Sequence, residues 1–332
     1  MMSPELNTVL AGLEGERQDM LRHQRGVLRG AVKPTVVGLA VAALALYLFL
    51  VGKGQVAIVV AVAGGFILML VLIIASTLYS EPGDKISRKF KQTVLPLLAR
   101  EIDPSLTYRE TARIPESEFK ATGLYPKVDM YSGHDLFSGR IGETDIRFSL
   151  VDAEEAYETV DVRTGPGGKV EIVRRIEYRT LFSGLFFSAD FNKHFAGSTQ
   201  IWSGEAGFLD EMRDGHVELE SPDFDNAFKV RSTDQVEARY LLTLSLMEKL
   251  LALRGRYGPF NAAFSGGRLA LLITTPLTLF APDLDKPMDA AQVEPFRARL
   301  REITGLVEYL DLNTRIWSKG GEPVEAPVGV AS

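Results

Sequence analysis

Four side chains that could do chemistry stand within five positions of one another: Asp190, Asn192, Lys193 and His194. Carboxylate, imidazole and amine groups can hold a metal ion or move a proton when partners lie at defined geometry. Asp and Asn side chains also bond nearby backbone amides, which makes them common in turns. Because the group follows an apolar run, we interpret it as the polar turn that ends a strand, with an active site as the alternative.

Metal and cofactor chemistry finds little support elsewhere in the chain. There are three further histidines, His23, His134 and His216, and no H-E-x-x-H spacing that would fix a zinc ion. His134 and Asp135 are adjacent, so in a regular strand they would face opposite sides. Cysteine is absent, and neither a P-loop nor a nucleophile elbow occurs. We therefore predict no catalytic residue, no metal site and no cofactor.

Charge and length narrow the class of protein. The chain has 332 residues and a net charge of −6, which argues against nucleic acid as a partner. Residues 80–332 hold 31 Lys and Arg against 39 Asp and Glu, so this part is acidic. The length is sufficient for a sizeable folded domain.

Two uncharged apolar runs stand near the N-terminus. The first covers 18 residues from Pro34 to Val51, and the second covers 27 residues from Gly54 to Ser80. A helix needs about 20 residues to cross a bilayer. We predict a transmembrane hairpin at residues 34–79, with spans at about 34–51 and 55–79, and the lipid bilayer as a partner.

The flanking charges predict the orientation of these spans. Lys and Arg residues precede the first span and follow the second, whereas the connection between the spans holds only Lys53. Positive residues favour the cytoplasmic side. We expect a multi-pass protein of the bacterial cytoplasmic (inner) membrane, with both termini in the cytoplasm.

Small residues suggest how the spans could pack. Ala57, Ala61 and Gly65 recur every four residues on one helix face, where helices can approach closely. Chance spacing in an alanine-rich segment remains the alternative. The spans contain no Asp, Glu, Lys, Arg or His, which argues against a pump built from this chain alone.

The rest of the chain predicts an α+β fold. We expect an N-terminal cytosolic segment at 1–33, a basic amphipathic helix and linker within 80–115, a soluble α+β domain at 116–318 and a disordered tail at 319–332. The helical part of 80–115 is expected at 83–102. Alternating apolar residues predict a mainly antiparallel sheet, with strands at 128–131, 145–151, 157–163 and 170–187 and a turn at "RTGPGGKV".

A helix–hairpin–helix unit is predicted at 234–312. The first helix is expected to begin at a Ser232–Gln235 capping box, and "FSGGRL" predicts a hairpin turn. Two apolar stripes should face the core. They are Val236, Tyr240, Leu244, Met247 and Leu251 in the first helix, and Val293, Phe296, Leu300, Ile303, Val307 and Leu310 in the second, which Asp289 should cap.

Several stretches resemble a known family. "YSGHDLFSGRIGETDIRFSLVDAE", "LFSGLFFSADFNKHFAGST" and "FDNAFKVRSTDQVEARYLLTLSLMEKLL" occur in that order within residues 105–318. They are similar to the bacterial membrane proteins grouped as domain of unknown function 3137. The resemblance implies two N-terminal spans followed by a cytosolic domain, and it brings no activity with it.

Three functions are compatible with these features. The preferred hypothesis is a membrane-anchored cytoplasmic interaction or scaffold module that binds a protein partner or its own copies. The alternatives are an inner-leaflet enzyme or small-ligand sensor that uses the 190–194 loop, and an accessory subunit of a membrane transport or envelope complex. The absence of a catalytic signature favours the first.

Overall fold

The computed structural model describes residues 3–52, 54–164, 170–191, 193, 195–203 and 215–313. The chain divides into two compact units. The first contains Met1–Leu98 and Ala281–Ala298, and the second contains Ala99–Phe280 and Arg299–Ser332. The predicted tail at 319–332 lies outside the described residues.

Two long helices form most of the first unit, α1 (Pro4–Leu50) and α2 (Gly54–Ile102). Ser3 caps α1 by accepting a hydrogen bond at 3.2 Å from the backbone N–H of Leu6. By length and composition, both helices could cross a membrane. The predicted segment limits at 33/34 and 79/80 interrupt neither helix, although Pro34 and Pro82 lie beside these limits. The helix predicted at 83–102 is therefore the last part of α2 rather than a separate element.

The N-terminal part of α1 and the C-terminal part of α2 are rich in polar residues, but both also contain buried apolar side chains. Residues 281–298 return to these ends, and Phe90 of α2 lies 5.2 Å from Phe296 between ring centres. The Glu14 carboxylate accepts hydrogen bonds from the Arg17 guanidinium and, at 2.8 Å, from the backbone N–H of Met288. The bond from Arg17 lowers the pKa of Glu14 to about 2. No sequence pattern predicted this return of the chain.

In the described part of the second unit, eight strands form one antiparallel sheet in the order β1-β2-β3-β4-β8-β7-β5-β6. The predicted α+β class is confirmed as a mixture of helices and antiparallel sheet, with two long apolar helices at the N-terminus. The strands are β1 (Thr107–Arg109), β2 (Met130–Ile141), β3 (Thr144–Thr164), β4 (Val170–Asp190), β5 (Thr199–Ser203), β6 (Phe228–Ser232), β7 (Phe260–Ser265) and β8 (Arg268–Thr274). The remaining helices are α3 (Glu116–Ala121), α4 (Pro222–Ala227), α5 (Gln235–Leu241), α6 (Leu244–Tyr257), α7 (Ala290–Thr304) and α8 (Leu306–Tyr309).

Strand β3 corrects the prediction of separate strands at 145–151 and 157–163. It runs unbroken for 21 residues and pairs with β4 up to Thr164 opposite Val170. A bulge between Ala153 and Glu154 shifts the register without ending the strand, since pairing resumes at once. The predicted turn residues 165–169 lie outside the described part of the chain.

The first predicted apolar stripe of the helix–hairpin–helix unit is wrong at Val236, Tyr240 and Leu244, which are exposed, whereas Met247 is buried as predicted. Leu242 leaves the helical conformation and Thr243 caps a new helix, so the 3.6-residue period does not continue from α5 into α6. Val236 and Leu244 are 77% and 61% exposed, while Leu241 and Leu250 are buried. The helix cap is also Asp234 rather than Ser232, because its carboxylate accepts from the N–H groups of Val236 and Glu237.

The later part of this unit is confirmed. Strands β7 and β8 form the expected hairpin, with Gly266 and Gly267 at positive φ in the turn. Asp289 accepts a hydrogen bond at 3.1 Å from the N–H of Gln292 at the start of α7. All six residues of the second stripe are buried, although the predicted helix is divided at Gly305 into α7 and α8.

Two leucines of α6 test the corrected stripe. Leu250→Ala should lower the free energy of unfolding by about 2 to 5 kcal/mol, because a fully buried side chain leaves a cavity. Leu244→Ala should change it by less than about 0.5 kcal/mol, because that side chain is exposed. Denaturant unfolding of the purified full chain measures both. Equal losses, or a larger loss at Leu244, would contradict the fold of this region.

Candidate functional site

The polar group at 190–194 begins where β4 ends. Asp190 is the last residue of β4 and pairs with Arg268 of β8. Nη1 of Arg268 lies 2.7 Å from the Asp190 carboxylate. Lys193 Nζ instead donates to the carbonyl of Tyr240 at 2.7 Å and lies 4.5 Å from the centre of that ring. The two candidates thus contact different elements. Asn192 and His194 lie outside the described residues.

A polar cluster surrounds Arg268, which we call the Arg268 cluster. Glu118 of α3 accepts from the Ser188 hydroxyl at 2.5 Å and from Arg147 at 2.9 Å. Arg268 Nε donates to the same hydroxyl at 2.8 Å. Ser188 is buried, and burial lowers the pKa of Arg268. With Asp190, these five residues tie α3 to β3, β4 and β8, which is a structural role for a mostly buried ionic network.

The segment after β4 is held to α5 by a carboxylate. Glu237 accepts hydrogen bonds at 2.7 and 2.8 Å from the backbone N–H groups of Ala196 and Gly197. Burial lowers the pKa of Lys193, which bonds to the same helix through Tyr240. A Cβ on Gly197 would lie 2.5 Å from the Glu237 carboxylate, so a side chain at this position would have to displace that carboxylate. These contacts fix the course of the chain between β4 and β5.

A second group of titratable residues lies on β1 and β2, and no sequence pattern brought its members together. A bulge between His134 and Phe137 places Asp135 at a φ of 59°, and its side chain is fully buried. The Tyr108 hydroxyl donates to Asp135 at 2.5 Å, and His134 Nδ1 lies 2.8 Å from the other carboxylate oxygen. The expectation that His134 and Asp135 face opposite sides is wrong, because the bulge breaks the strand alternation.

These candidates do not share one site. In the strand register, His134 lies opposite Leu150 and, through β3, level with Leu185, five residues before Asp190 along β4. That separation is about 16 Å along the strand. His216 bridges to Arg231 beside β6, six places from β2 in the sheet order. Among the described residues, no three His, Asp or Glu side chains are grouped to hold a metal ion.

The small residues of α2 line a cleft against α1. Ala61 and Gly65 border this cleft together with Gly64. A Cβ on Gly64 would lie 2.5 Å from Cγ1 of Val41, so glycine is needed at this contact between the helices. The side chain of Ala57 lies outside the described part of α2.

Comparison with known families gives one match. Residues 180–312 match the family model described as "Protein of unknown function (DUF3137)". The resemblance inferred from the sequence is confirmed over these residues. The DUF3137 region begins inside β4 and ends after α8, so it contains Asp190, Lys193 and Arg268. No curated protein and no solved structure matches the chain.

A double-mutant cycle tests the structural role of Asp190. Asp190→Ala and Arg268→Ala should each lower the unfolding free energy, and the double variant should lose less than the sum by about 0.5 to 3 kcal/mol, because the two side chains are largely buried partners. Chemical denaturation measures the three variants. The exposed Glu116–Lys120 pair of α3 is the matched control and should couple more weakly. Additive losses at Asp190 and Arg268 would refute the ion pair.

Proposed function

We propose that this chain is a membrane-anchored interaction module whose β3–β4 ribbon binds a second copy of the chain. The ribbon consists of residues 155–164 of β3 and 170–180 of β4, where these strands pair only with each other among the described strands. An isolated two-stranded ribbon is marginally stable in water. We therefore propose that a binding partner stabilises the part of the ribbon that extends beyond the sheet.

One face of the ribbon is apolar and exposed. Alternation along the strands places Val160, Ile172, Ile176 and Tyr178 on the same face. Val160 and Ile176 are 57% and 69% exposed. The other face is polar, with Arg179 bound to Glu155 at 2.6 Å and the Tyr157 hydroxyl bound to Glu177 at 3.1 Å. An exposed patch in which apolar side chains flank one ion pair indicates an interaction surface, and it is the observation on which the proposal rests.

The charges on the apolar face support self-association. Glu158 and Arg174 are its described charged residues, and they lie 3.6 Å apart as a neutral pair. In a two-fold interface the same patch faces itself, so each Arg174 can meet the Glu158 of the second copy. An acidic partner would place negative charge next to Glu158, and a basic partner would place positive charge next to Arg174.

The long helices supply the proposed anchor. Exposed apolar side chains cover the C-terminal part of α1 and the N-terminal half of α2, and these helices are long enough to span a bilayer. The distribution of positive residues supports an orientation with both termini cytoplasmic, and we propose this orientation in a bacterial inner membrane. The basic residues are Arg22, Arg25, Arg29 and Lys33 before the first apolar run, and Lys85, Arg88, Lys89 and Lys91 after the second.

Reporter fusions test the orientation. Alkaline phosphatase inserted at Lys53 should be active, because the α1–α2 connection would lie outside the cytoplasm, where that enzyme folds. The same reporter fused at Asn313 should be inactive, while a fluorescent protein at Asn313 should be bright. An active phosphatase at Asn313 would overturn the proposed orientation.

Paired substitutions on the two ribbon faces test the self-association. Ile176→Lys should weaken dimerisation by at least about tenfold, because a hydrated charged side chain would replace an apolar one in the interface. Val173→Lys is the matched control on the polar face, where Val173 lies opposite Asp161, and it should leave dimerisation unchanged. Sedimentation of the full chain in detergent measures the dimer fraction.

A cross-linking experiment gives a second readout, since the natural chain contains no cysteine. Ile176→Cys should form disulfide-linked dimers in membranes, and Val173→Cys should not. A monomeric wild-type chain, or equal behaviour of the two faces in both experiments, would overturn the proposed interface.

A further inference from the structure

A cavity of about 410 Å³ lies within the second unit, between one end of the sheet and helices α6, α7 and α8. Its apolar lining comes from Leu185 of β4, Ile273 of β8, Leu279, Ile303 and Leu306. Four of these side chains are otherwise buried against the protein. Cavities of this size with an apolar lining and a few polar groups are typical of small-molecule sites.

The polar groups of the cavity carry a net positive charge. Arg256, Arg299 and Glu302 all line it. Glu302 is already engaged, because Arg256 lies 2.6 Å from its carboxylate and the Tyr257 hydroxyl donates to it at 2.7 Å. Burial, more than Glu302 itself, raises the pKa of Tyr257, so the hydroxyl stays protonated as a donor. The acid group of the cavity is therefore neutralised by its own neighbours.

Arg299 retains donors for a ligand. Its Nη1 donates to the carbonyl of Leu279 at 2.5 Å, and the part of the chain that the structure describes offers Arg299 no other hydrogen bond. A guanidinium has five N–H donors in a planar fork, which matches a carboxylate or phosphate group. Arg299, which already lines the cavity, could therefore bind the anionic group of a ligand.

Thr275 provides a second unused polar group. Thr275 lines the cavity, and its hydroxyl oxygen is buried and has no hydrogen-bond partner among the described residues. Buried hydroxyl groups without partners are uncommon and call for an explanation such as a missing ligand. A Cβ on Gly184 would lie 2.7 Å from the Thr275 backbone nitrogen, so glycine lets β4 approach this residue closely. The backbone of Thr275 is thereby held against β4.

We propose that this cavity binds a small amphipathic anion. Its apolar chain would contact Leu185, Ile273 and Ile303, while its carboxylate or phosphate group would bind Arg299 and the Thr275 hydroxyl. A neutral ligand would leave the Arg299 donors unmatched, and a small inorganic anion would leave the apolar lining uncovered. The binding site is separate from the ribbon and does not depend on self-association.

Calorimetric titration of the full chain in zwitterionic nanodiscs tests this site, with empty nanodiscs as the blank. The probe is octanoate, which has both an apolar chain and a carboxylate. Octanamide keeps the chain without the charge, and acetate keeps the charge without the chain. We expect octanoate to bind at least about tenfold more tightly than either, because only octanoate satisfies both parts of the cavity.

Three variants assign the binding to the cavity. Thr275→Val should weaken octanoate binding by at least about threefold without lowering the melting temperature, because the hydroxyl has no partner to lose within the described protein. Thr278 is exposed and lies outside the cavity lining, so Thr278→Val should change neither the affinity for octanoate nor the melting temperature. Leu279→Trp should abolish binding by filling the space. Absent octanoate binding, equal binding of octanamide or unchanged affinity in Thr275→Val would each overturn the proposal.

Discussion

The pairing of β3 with β4 is the interaction on which the second unit depends. The two strands pair from Ile146 opposite Ala189 to Thr164 opposite Val170, and among the described strands β4 continues the sheet into β8 from Gly184 to Asp190. Phe186 and Phe187 are fully buried in this shared part. One strand therefore carries the Arg268 cluster at its end, the cavity wall at Leu185 and the apolar ribbon beyond the sheet.

Local signals in the sequence predicted the elements that local forces decide. The Gly266-Gly267 turn requires positive φ, and the apolar stripe that includes α7 repeats at the helical period. Both elements could therefore be predicted from the local sequence alone. The sequence did not predict β3 as one continuous strand. The part of β3 beyond the sheet is exposed, and its polar residues are of the types found in loops. Its continuity comes from pairing with β4, which is a tertiary effect.

The candidate residues show the same division between local and distant causes. Residue types near Asp190 correctly drew attention to a polar strand end, but the partner Arg268 lies 78 positions away and Tyr240 lies 47 positions from Lys193. No local pattern could assign these partners. His134 and Asp135 were misjudged for a different reason, since a single bulge resets which side a residue faces.

Membrane anchoring and a weak ribbon interface would complement one another. Val160, Ile172, Ile176 and Tyr178 form a narrow patch, which is too small to expect tight association between freely diffusing proteins. Helices held in one bilayer would confine the copies to a plane and give them a common orientation. Confinement raises the effective concentration, so a contact that is weak in solution can form in the membrane. The exposed apolar helices and the exposed apolar ribbon would then be two parts of one assembly mechanism.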